Sequence, residues 1–301
     1  MITGGAGFIG SHLSDYLLRN GHNVIIVDDL STGNKKNINP LAQFYEFNIN
    51  DDQVKQIFQK ENPDYIYHYA AQVNVGRSQE EPLFDANSNI IGTIKVLNYA
   101  VKYKVKKLIF ASSAAIYGNP LYLPLNEKHP TSPISFYGLS KSVAERYIKL
   151  FGHSFGLKYT ILRFANVYGS RQQVAADGGV IAQFVSRYIK GESPIIYGDG
   201  EQTRDFINVD DVVEASYRAL YLGDNEVLNV STGEAVSINK LCQVLEGISG
   251  RKLLPNFGSL QKNDIKHSIL DNRLAQRKLL WAPQVALKEG IEKAFYYAKN
   301  N

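Results

Sequence analysis

Tyr137 and Lys141 stand four residues apart in the segment YGLSK. On a helix that spacing places both side chains on one face, one turn apart. An ammonium beside a phenol favours the phenolate, which can take a proton from an alcohol or sugar hydroxyl. The chain holds 19 tyrosines, so the spacing alone can also arise by accident. A second candidate group lies upstream in IFASSAAIYG, residues 109–118. There an apolar run ends in Ser112 and Ser113, followed by Ala114 and Ala115, with no acid or base. A strand ending this way either presents a hydroxyl to a ligand or simply stops. Ser113 is the third candidate for chemistry and Ser112 reads as structural.

The elements that would position these groups begin at the N-terminus. MITGGAGFIGSHLSDYLLRNGHNVIIVDD carries Gly4, Gly7 and Gly10 in a G-x-x-G-x-x-G spacing. The glycines follow a very short apolar start and open a helical pattern with apolar residues at 13, 17 and 18, ended by Gly21. NVIIVDD then reads as a buried parallel strand ending in Asp28 and Asp29. Strand, glycine turn, helix, strand and acid make a dinucleotide-binding unit. Glycines let the backbone approach a pyrophosphate, and the helix start supplies free N–H groups. A carboxylate at Asp28 accepts from ribose hydroxyls and repels a 2′-phosphate, which favours NAD over NADP. The alternative is a strand–helix turn without a ligand.

The alternation continues. Segments 63–72, 105–113 and 159–169 read as strands, and 86–103 and 137–156 as helices. This pattern predicts an α/β fold, a Rossmann-type doubly wound parallel sheet with a smaller C-terminal substrate-binding domain. Ligands in such sheets bind beyond the carboxyl ends of the strands, where Ser112 and Ser113 fall. Past Gly169 the pattern is less regular, with a helix, a short strand at 194–197 and a glycine-rich turn.

Composition sets bounds. A net charge of +4 is spread along the chain, and its densest basic run, Lys102–Lys107, reads as a solvated helix end, so no nucleic-acid partner is expected. No apolar run approaches the roughly 20 residues that span a bilayer. Nothing at the N-terminus resembles an export signal. The lone Cys242 excludes an internal disulfide and a cysteine-based zinc site, so a reducing, cytoplasmic setting is expected. His12, His68 and Trp281 read as packing or satisfied polar residues, and no metal is expected.

Taken together, TGGAGFIGSHL, HYAAQ, SSAAIYG, YGLSK, LRFANVYG, YGDGEQTRDFINVDDV and LDNRLAQRKLLWAP resemble the extended short-chain dehydrogenases/reductases. The resemblance is to the NAD-dependent sugar epimerase/dehydratase family and covers nearly the whole chain. It implies a tightly held NAD and a UDP-sugar substrate inverted at C4 through a 4-keto intermediate. In that reading Tyr137 is the base at the 4-hydroxyl, Ser113 hydrogen-bonds the same oxygen and Lys141 binds the nicotinamide ribose. Hydride leaves C4 for the cofactor, the keto sugar turns about its diphosphate link, and hydride returns to the other face. Further cofactor contacts are implied at Phe8, Ile9, Asp29, Ser31, Thr32, Gly33, Asn48, Ile49, Tyr69, Ala70, Ala71, Asn89 and Ser112. Substrate contacts are implied at Asn166, Val180, Ile195, Tyr197, Arg204 and Asp264, besides Ser113 and Tyr137. Arg204 would grip the diphosphate; a surface ion pair with Asp205 is its other reading.

Relatives that eliminate or decarboxylate carry an acid where Ala114 and Ala115 stand, so only hydroxyl redox at one carbon is supported. An epimerase for another nucleotide sugar, a net 4-reductase or dehydrogenase, and a catalytically silent NAD-binding regulator are the alternatives. Three departures from the family pattern stand out: Gln261 beside Lys262 in place of a phosphate arginine, Asn48 in place of the adenine-pocket acid, and Val73 in place of a lysine. Asn48 can still accept through its carbonyl. The resemblance places Ser268 where a bulky residue would exclude N-acetyl sugars, and its small side chain implies room for one. The resemblance divides the chain into an NAD domain (1–166 plus about 205–231) and a sugar-nucleotide domain (about 167–204 plus 232–301). It also implies a homodimer through helices 86–103 and 137–153, whose apolar stripes could equally be internal core.

Overall fold

The architecture is that of a computed structural model, which describes residues 1–174, 179–259 and 265–301. Seven strands form one sheet: β1 (Ile2–Thr3), β2 (Ile25–Asp28), β3 (Gln43–Glu46), β4 (Tyr65–His68), β5 (Lys107–Ser113), β6 (Lys158–Phe164) and β7 (Glu226–Val230). Their order is β7-β6-β5-β4-β1-β2-β3, and every pairing is parallel. The chain winds outward from β1 to β3, then returns to β1's other side with β4. That reversal opens a crevice at the carboxyl ends of β1 and β4. β1 is only two residues long, and both are buried between β2 and β4.

Buried strands alternate their side chains between two helical layers. On β5, Ile109 faces a layer containing α1 (Phe8–Arg19) and the helix Val209–Arg218. Leu108 and Phe110 face α2 (Val54–Glu61), α5 (Gly92–Lys102) and α6 (Phe136–Phe155). Between α2 and α5 lie two short helices, α3 (Val75–Glu80) and α4 (Pro82–Ala86).

The helix expected at 86–103 begins earlier, at Pro82, and is interrupted by a π turn over Asn87–Ile91 before α5. The strand expected at 159–169 is divided. β6 ends at Phe164, the Ala165 N–H donates to Val230 O, and Asn166–Tyr168 then pairs with Phe206–Asn208 in a separate two-stranded sheet. α6 starts where Ser135 Oγ accepts the Gly138 N–H, and it ends at Gly156, whose φ is +70°. A further apolar cluster joins helices Val180–Lys190, Ile238–Ser249 and Leu287–Asn300 through Phe184, Leu241, Leu245, Ile291 and Phe295. No described helix is long and apolar enough to cross a membrane.

Candidate active site

The crevice beyond the strand ends is a cleft of about 440 Å³. Its first wall is the glycine turn. Gly4 has φ +75°, and a Cβ there would lie 2.6 Å from the Ala70 amide nitrogen. A Cβ on Gly10 would lie 2.1 Å from Gly4 O, so only glycine lets α1 settle onto the turn. Gly7 precedes α1 with no side-chain cap, and the first turn carries no acid. The orphan N–H groups at Phe8 and Ile9 therefore open into the cleft, a setting that suits a pyrophosphate.

The acids after β2 form the second wall. Asp28 Oδ2 accepts from the Ala6 N–H and Oδ1 from the Leu30 N–H, each at 2.9 Å. Burial pushes the Asp28 carboxyl upward from its ordinary value, against the pull of the Leu30 and Ala6 amides. Gly33 packs behind it, where a Cβ would stand 2.7 Å from Asp28 Oδ1. Asp29 Oδ1 accepts from the Ser31 N–H and hydroxyl, and its Oδ2 from Asn48 Nδ2 at 2.6 Å. Asn48 thus supplies an amide to Asp29, while its carbonyl accepts the Asn50 N–H at 2.9 Å. Thr32, Ile49, Tyr69, Ala70 and Ala71 line the same cleft.

The reactive groups come from β5 and α6. α6 carries Tyr137 and Lys141, and β5 delivers Ser113. All three line the cleft together with the nucleotide-turn residues. Ser113 caps a 3-10 turn, its Oγ accepting the Ala115 N–H at 3.1 Å, which leaves the hydroxyl proton to donate elsewhere. Lys141 is 3 % exposed and donates to Ala111 O at 2.9 Å. Its Nζ lies 6.0 Å from the Tyr137 ring centroid and 4.8 Å from that of Phe110. Burial pushes the Lys141 ammonium down to about 8, opposed by the charges of Asp85 and Glu145.

Two residues expected at the cofactor face elsewhere. The Ser112 hydroxyl donates to Glu145 Oε1 at 2.6 Å, away from the cleft, although Ser112 still contributes to its wall. Asn89 is buried beneath the cleft, accepting from the Gln72 N–H and donating toward Gln72 O, Asp85 Oδ1 and Ser140 Oγ. Periodicity did not distinguish Gln72, Asn74, Arg77, Phe84 and Arg171, which also line the cleft. Arg77 and Arg171 are cations placed there: the first stacks over Phe84 at 4.1 Å, and the second pairs with Asp15 at 2.7 Å. The strand-end rule was the signal that could have drawn attention to Arg171, just past the Asn166–Tyr168 strand.

Besides Ser113 and Tyr137, the residues expected at the substrate are not among those that line this cleft, although Ala165 and Val167 on either side of Asn166 are. Asn166 Nδ2 donates to Asp205 O at 3.2 Å. Val180 begins its helix, and Ile195 and Tyr197 lie exposed on the strand Ile195–Tyr197, paired with Asn256–Gly258. Arg204 Nη1 donates to Thr203 O at 2.9 Å. The Asp205 carboxylate is buried and accepts from Thr232 and Gly233, so it is engaged on the side of the 232–233 turn. Ser268 donates its N–H to Thr203 O. Asp264, Gln261 and Lys262 lie outside the described residues. Among the described residues no group of three or more His, Cys, Asp or Glu side chains is placed to hold a metal.

A parallel sheet with an uncapped glycine turn at its switch point, and an acid closing the next strand, defines a dinucleotide-binding enzyme of the Rossmann class. Comparison with known proteins narrows this. Residues 1–231 match the NAD dependent epimerase/dehydratase family, and the chain belongs to that family. A UDP-glucose 4-epimerase from Thermotoga maritima, solved with UDP-glucose, superposes with a TM-score of 0.98 at 45% identity, covering 99% of this chain and 98% of that one. A UDP-glucose 4-epimerase from Thermus thermophilus, complexed with NAD, gives 0.94 at 34% identity, covering 98% and 97%. A UDP-N-acetylglucosamine 4-epimerase from Methanobrevibacter ruminantium, bound to UDP-N-acetylmuramic acid, gives 0.94 at 34% identity, covering 99% and 97%. The cofactor is NAD, and the enzyme class is that of the NAD-dependent nucleotide-sugar 4-epimerases, which are isomerases.

Proposed function

We propose that this chain inverts C4 of a UDP-hexose, interconverting UDP-glucose and UDP-galactose, with the N-acetyl forms as further substrates. One observation carries the reading. Tyr137, Lys141 and Ser113 line the same cleft as the nucleotide turn, and Ala114 and Ala115, which follow Ser113, offer no second acid or base. Proton exchange at a single hydroxyl is the chemistry such a set supports.

When bound, NAD supplies a hydride acceptor and donor. The chain's own residues do the rest. Tyr137 takes the proton of the 4-hydroxyl and later returns it. The Ser113 hydroxyl donates to the same oxygen, holding it beside the phenol. The Lys141 ammonium, one turn along α6, stabilises the phenolate form. Inversion then requires the 4-keto sugar to present its opposite face before the proton is returned. The diphosphate would be gripped by Arg204 and Asn166, with Val180 beside them, the uracil would lie against Ile195 and Tyr197, and the uridine ribose would meet Asp264. Small Ser268 is the feature that supports N-acetyl sugars.

The exposed apolar residues of α4 to α6, including Leu83, Ile91, Leu139 and Leu150, support a homodimer that buries these helices. Sedimentation velocity would return a monomer if that pairing is wrong. The buried, unpaired Cys242 suits a reducing, cytoplasmic setting.

The deciding experiment incubates the purified protein with UDP-galactose and no added cofactor. UDP-glucose should appear catalytically, and Tyr137→Phe should lower kcat by about 10²- to 10⁴-fold. Stoichiometric cofactor reduction would assign a dehydrogenase instead, and unchanged turnover in Tyr137→Phe would remove the assigned base.

A further inference from the structure

Lys141 is enclosed by titratable groups from three elements: His68 on β4, Asp85 on α4, and Tyr137 and Glu145 on its own helix. Their charges are unequal in effect. His68 is buried between Thr3 Oγ1 and Thr93 Oγ1 and stays neutral. The Glu145 charge is matched by Arg163 of β6, which donates Nε at 2.9 Å and Nη2 at 2.7 Å to its two oxygens. Asp85 differs. It is 1 % exposed, and among the described residues no cation lies within ion-pair distance of it. Its Oδ1 accepts neutral amides only, from Gln72 Nε2 at 2.8 Å and Asn89 Nδ2 at 3.0 Å.

A buried carboxylate held by neutral donors is costly to keep charged unless a cation compensates nearby. The local backbone is shaped around it. The π turn Asn87–Ile91 re-aims Asn89 so that one Nδ2 group reaches Asp85, Gln72 O and, at 3.1 Å, Ser140 Oγ. Ser140 adjoins Lys141, and its own hydroxyl donates to Tyr137 O at 3.0 Å. Single-turn π bulges of this kind recur at functional sites. Two hydrogen-bonded steps therefore connect the Asp85 carboxylate to the helical turn that carries both Tyr137 and Lys141.

We propose that Asp85 is a positioning residue for this site, its carboxylate held by Gln72 and Asn89 so that it fixes the Tyr137–Lys141 turn and supplies the negative charge that keeps Lys141 an ammonium. The use of that ammonium rests on the reaction proposed above, whereas its ionisation can be measured without turnover. Of the two carboxylates acting on Lys141, Asp85 has the larger influence, and it opposes the effect of burial.

The test follows Lys141 in the NAD-bound protein by ¹³C NMR of labelled lysines, the signal being assigned by its loss in Lys141→Met. Asp85→Asn keeps the shape and removes the charge. It should lower the Lys141 titration midpoint by about one pH unit or more. The double variant Gln72→Glu/Asp85→Asn moves the carboxylate across the same hydrogen bond and should return the midpoint toward the wild-type value. An unchanged midpoint in Asp85→Asn, or a double variant no higher than the single one, overturns the proposal. If Asp85→Asn does not fold, the double variant decides alone: a wild-type midpoint upholds the role and a lowered one refutes it. A chain that turned over no UDP-hexose would still report this titration, so the two readings fail separately. Where turnover is present, kcat in Asp85→Asn should decline at a lower alkaline pH while KM changes little.

Discussion

The Ser112 hydroxyl donates to Glu145 Oε1 across 2.6 Å, and both side chains are buried. The bond ties the end of β5 to α6 one turn beyond Lys141. Ser113, the very next residue, keeps its hydroxyl at the cleft. Strand alternation sends adjacent side chains to opposite sides, so one serine holds the scaffold while its neighbour faces the ligand. Ser112→Ala should cost about 1–2 kcal/mol of stability, with kcat close to wild type. Ser113→Ala should cost only the cap to Ala115, about 0.5–1 kcal/mol, and lower kcat about 10- to 100-fold, as loss of a hydrogen bond to a charged oxygen would. Thermal melts and steady-state assays of the two variants check the division, and reversed phenotypes would refute it.

Behind Ser112, the Glu145–Arg163 pair joins α6 to β6 with side chains only 3 % and 4 % exposed. Arg163 Nη1 also reaches the Tyr117 hydroxyl at 2.9 Å, and that hydroxyl donates to Asn229 Oδ1 on β7 at 2.6 Å. Removing one charge strands the other. Glu145→Gln and Arg163→Met should each cost about 3–5 kcal/mol, and the double variant clearly less than their sum. Urea unfolding of the three variants gives the coupling energy. Simple additivity would mean that the pair does not act as a unit.

These buried polar groups mark where sequence reasoning stops. The parallel sheet, the glycine turn and the Asp28 strand end were legible because each rests on local periodicity or steric need. Tyr137, Lys141 and Ser113 were legible as a set because a helix face and a strand end both aim at the same crevice. Asp85, Glu145 and Arg163 were not, because a charged residue within an amphipathic pattern reads as a solvated face until its tertiary partners are known. The strand at 159–169 was read through Ala165 for a similar reason. Its apolar run continues, and only the distant partner Phe206–Asn208 reveals that the chain has changed sheets. Arg77 and Arg171 entered the cleft lining through α3 and a loop, where no period exists to follow.

His68 illustrates acid sensitivity arising from burial. It lies 2.7 Å from Thr3 Oγ1 and 3.0 Å from Thr93 Oγ1, and burial pushes its imidazole from 6.5 down to about 3, aided by the Lys141 charge. Between those values the unfolded chain binds a proton that the folded chain refuses. Stability should therefore be lost as pH falls below about 6.5, approaching 1.4 kcal/mol per pH unit for this one group. Urea titrations at pH 7, 6 and 5 should show a shallower loss in His68→Gln, whose amide retains a donor and an acceptor. Equal slopes in the two proteins would place the proton elsewhere.

Gly7 and Gly10 separate the turn's two duties. Both line the cleft, but a Cβ on Gly10 would meet Gly4 O at 2.1 Å, whereas a Cβ on Gly7 meets only Gly4 O at 3.3 Å. Gly10→Ala should therefore act on the fold, costing about 1–3 kcal/mol or more through overpacking. Gly7→Ala should melt close to wild type and act on the ligand, because its methyl stands where a pyrophosphate approaches the start of α1. Its NAD affinity should fall about tenfold or more, equivalent to about 1.4 kcal/mol. Calorimetric NAD titrations alongside melting curves distinguish the two effects. Wild-type NAD affinity in Gly7→Ala would mean that the cofactor phosphates do not approach this turn, and would move the anion site to the guanidinium of Arg77 or Arg171.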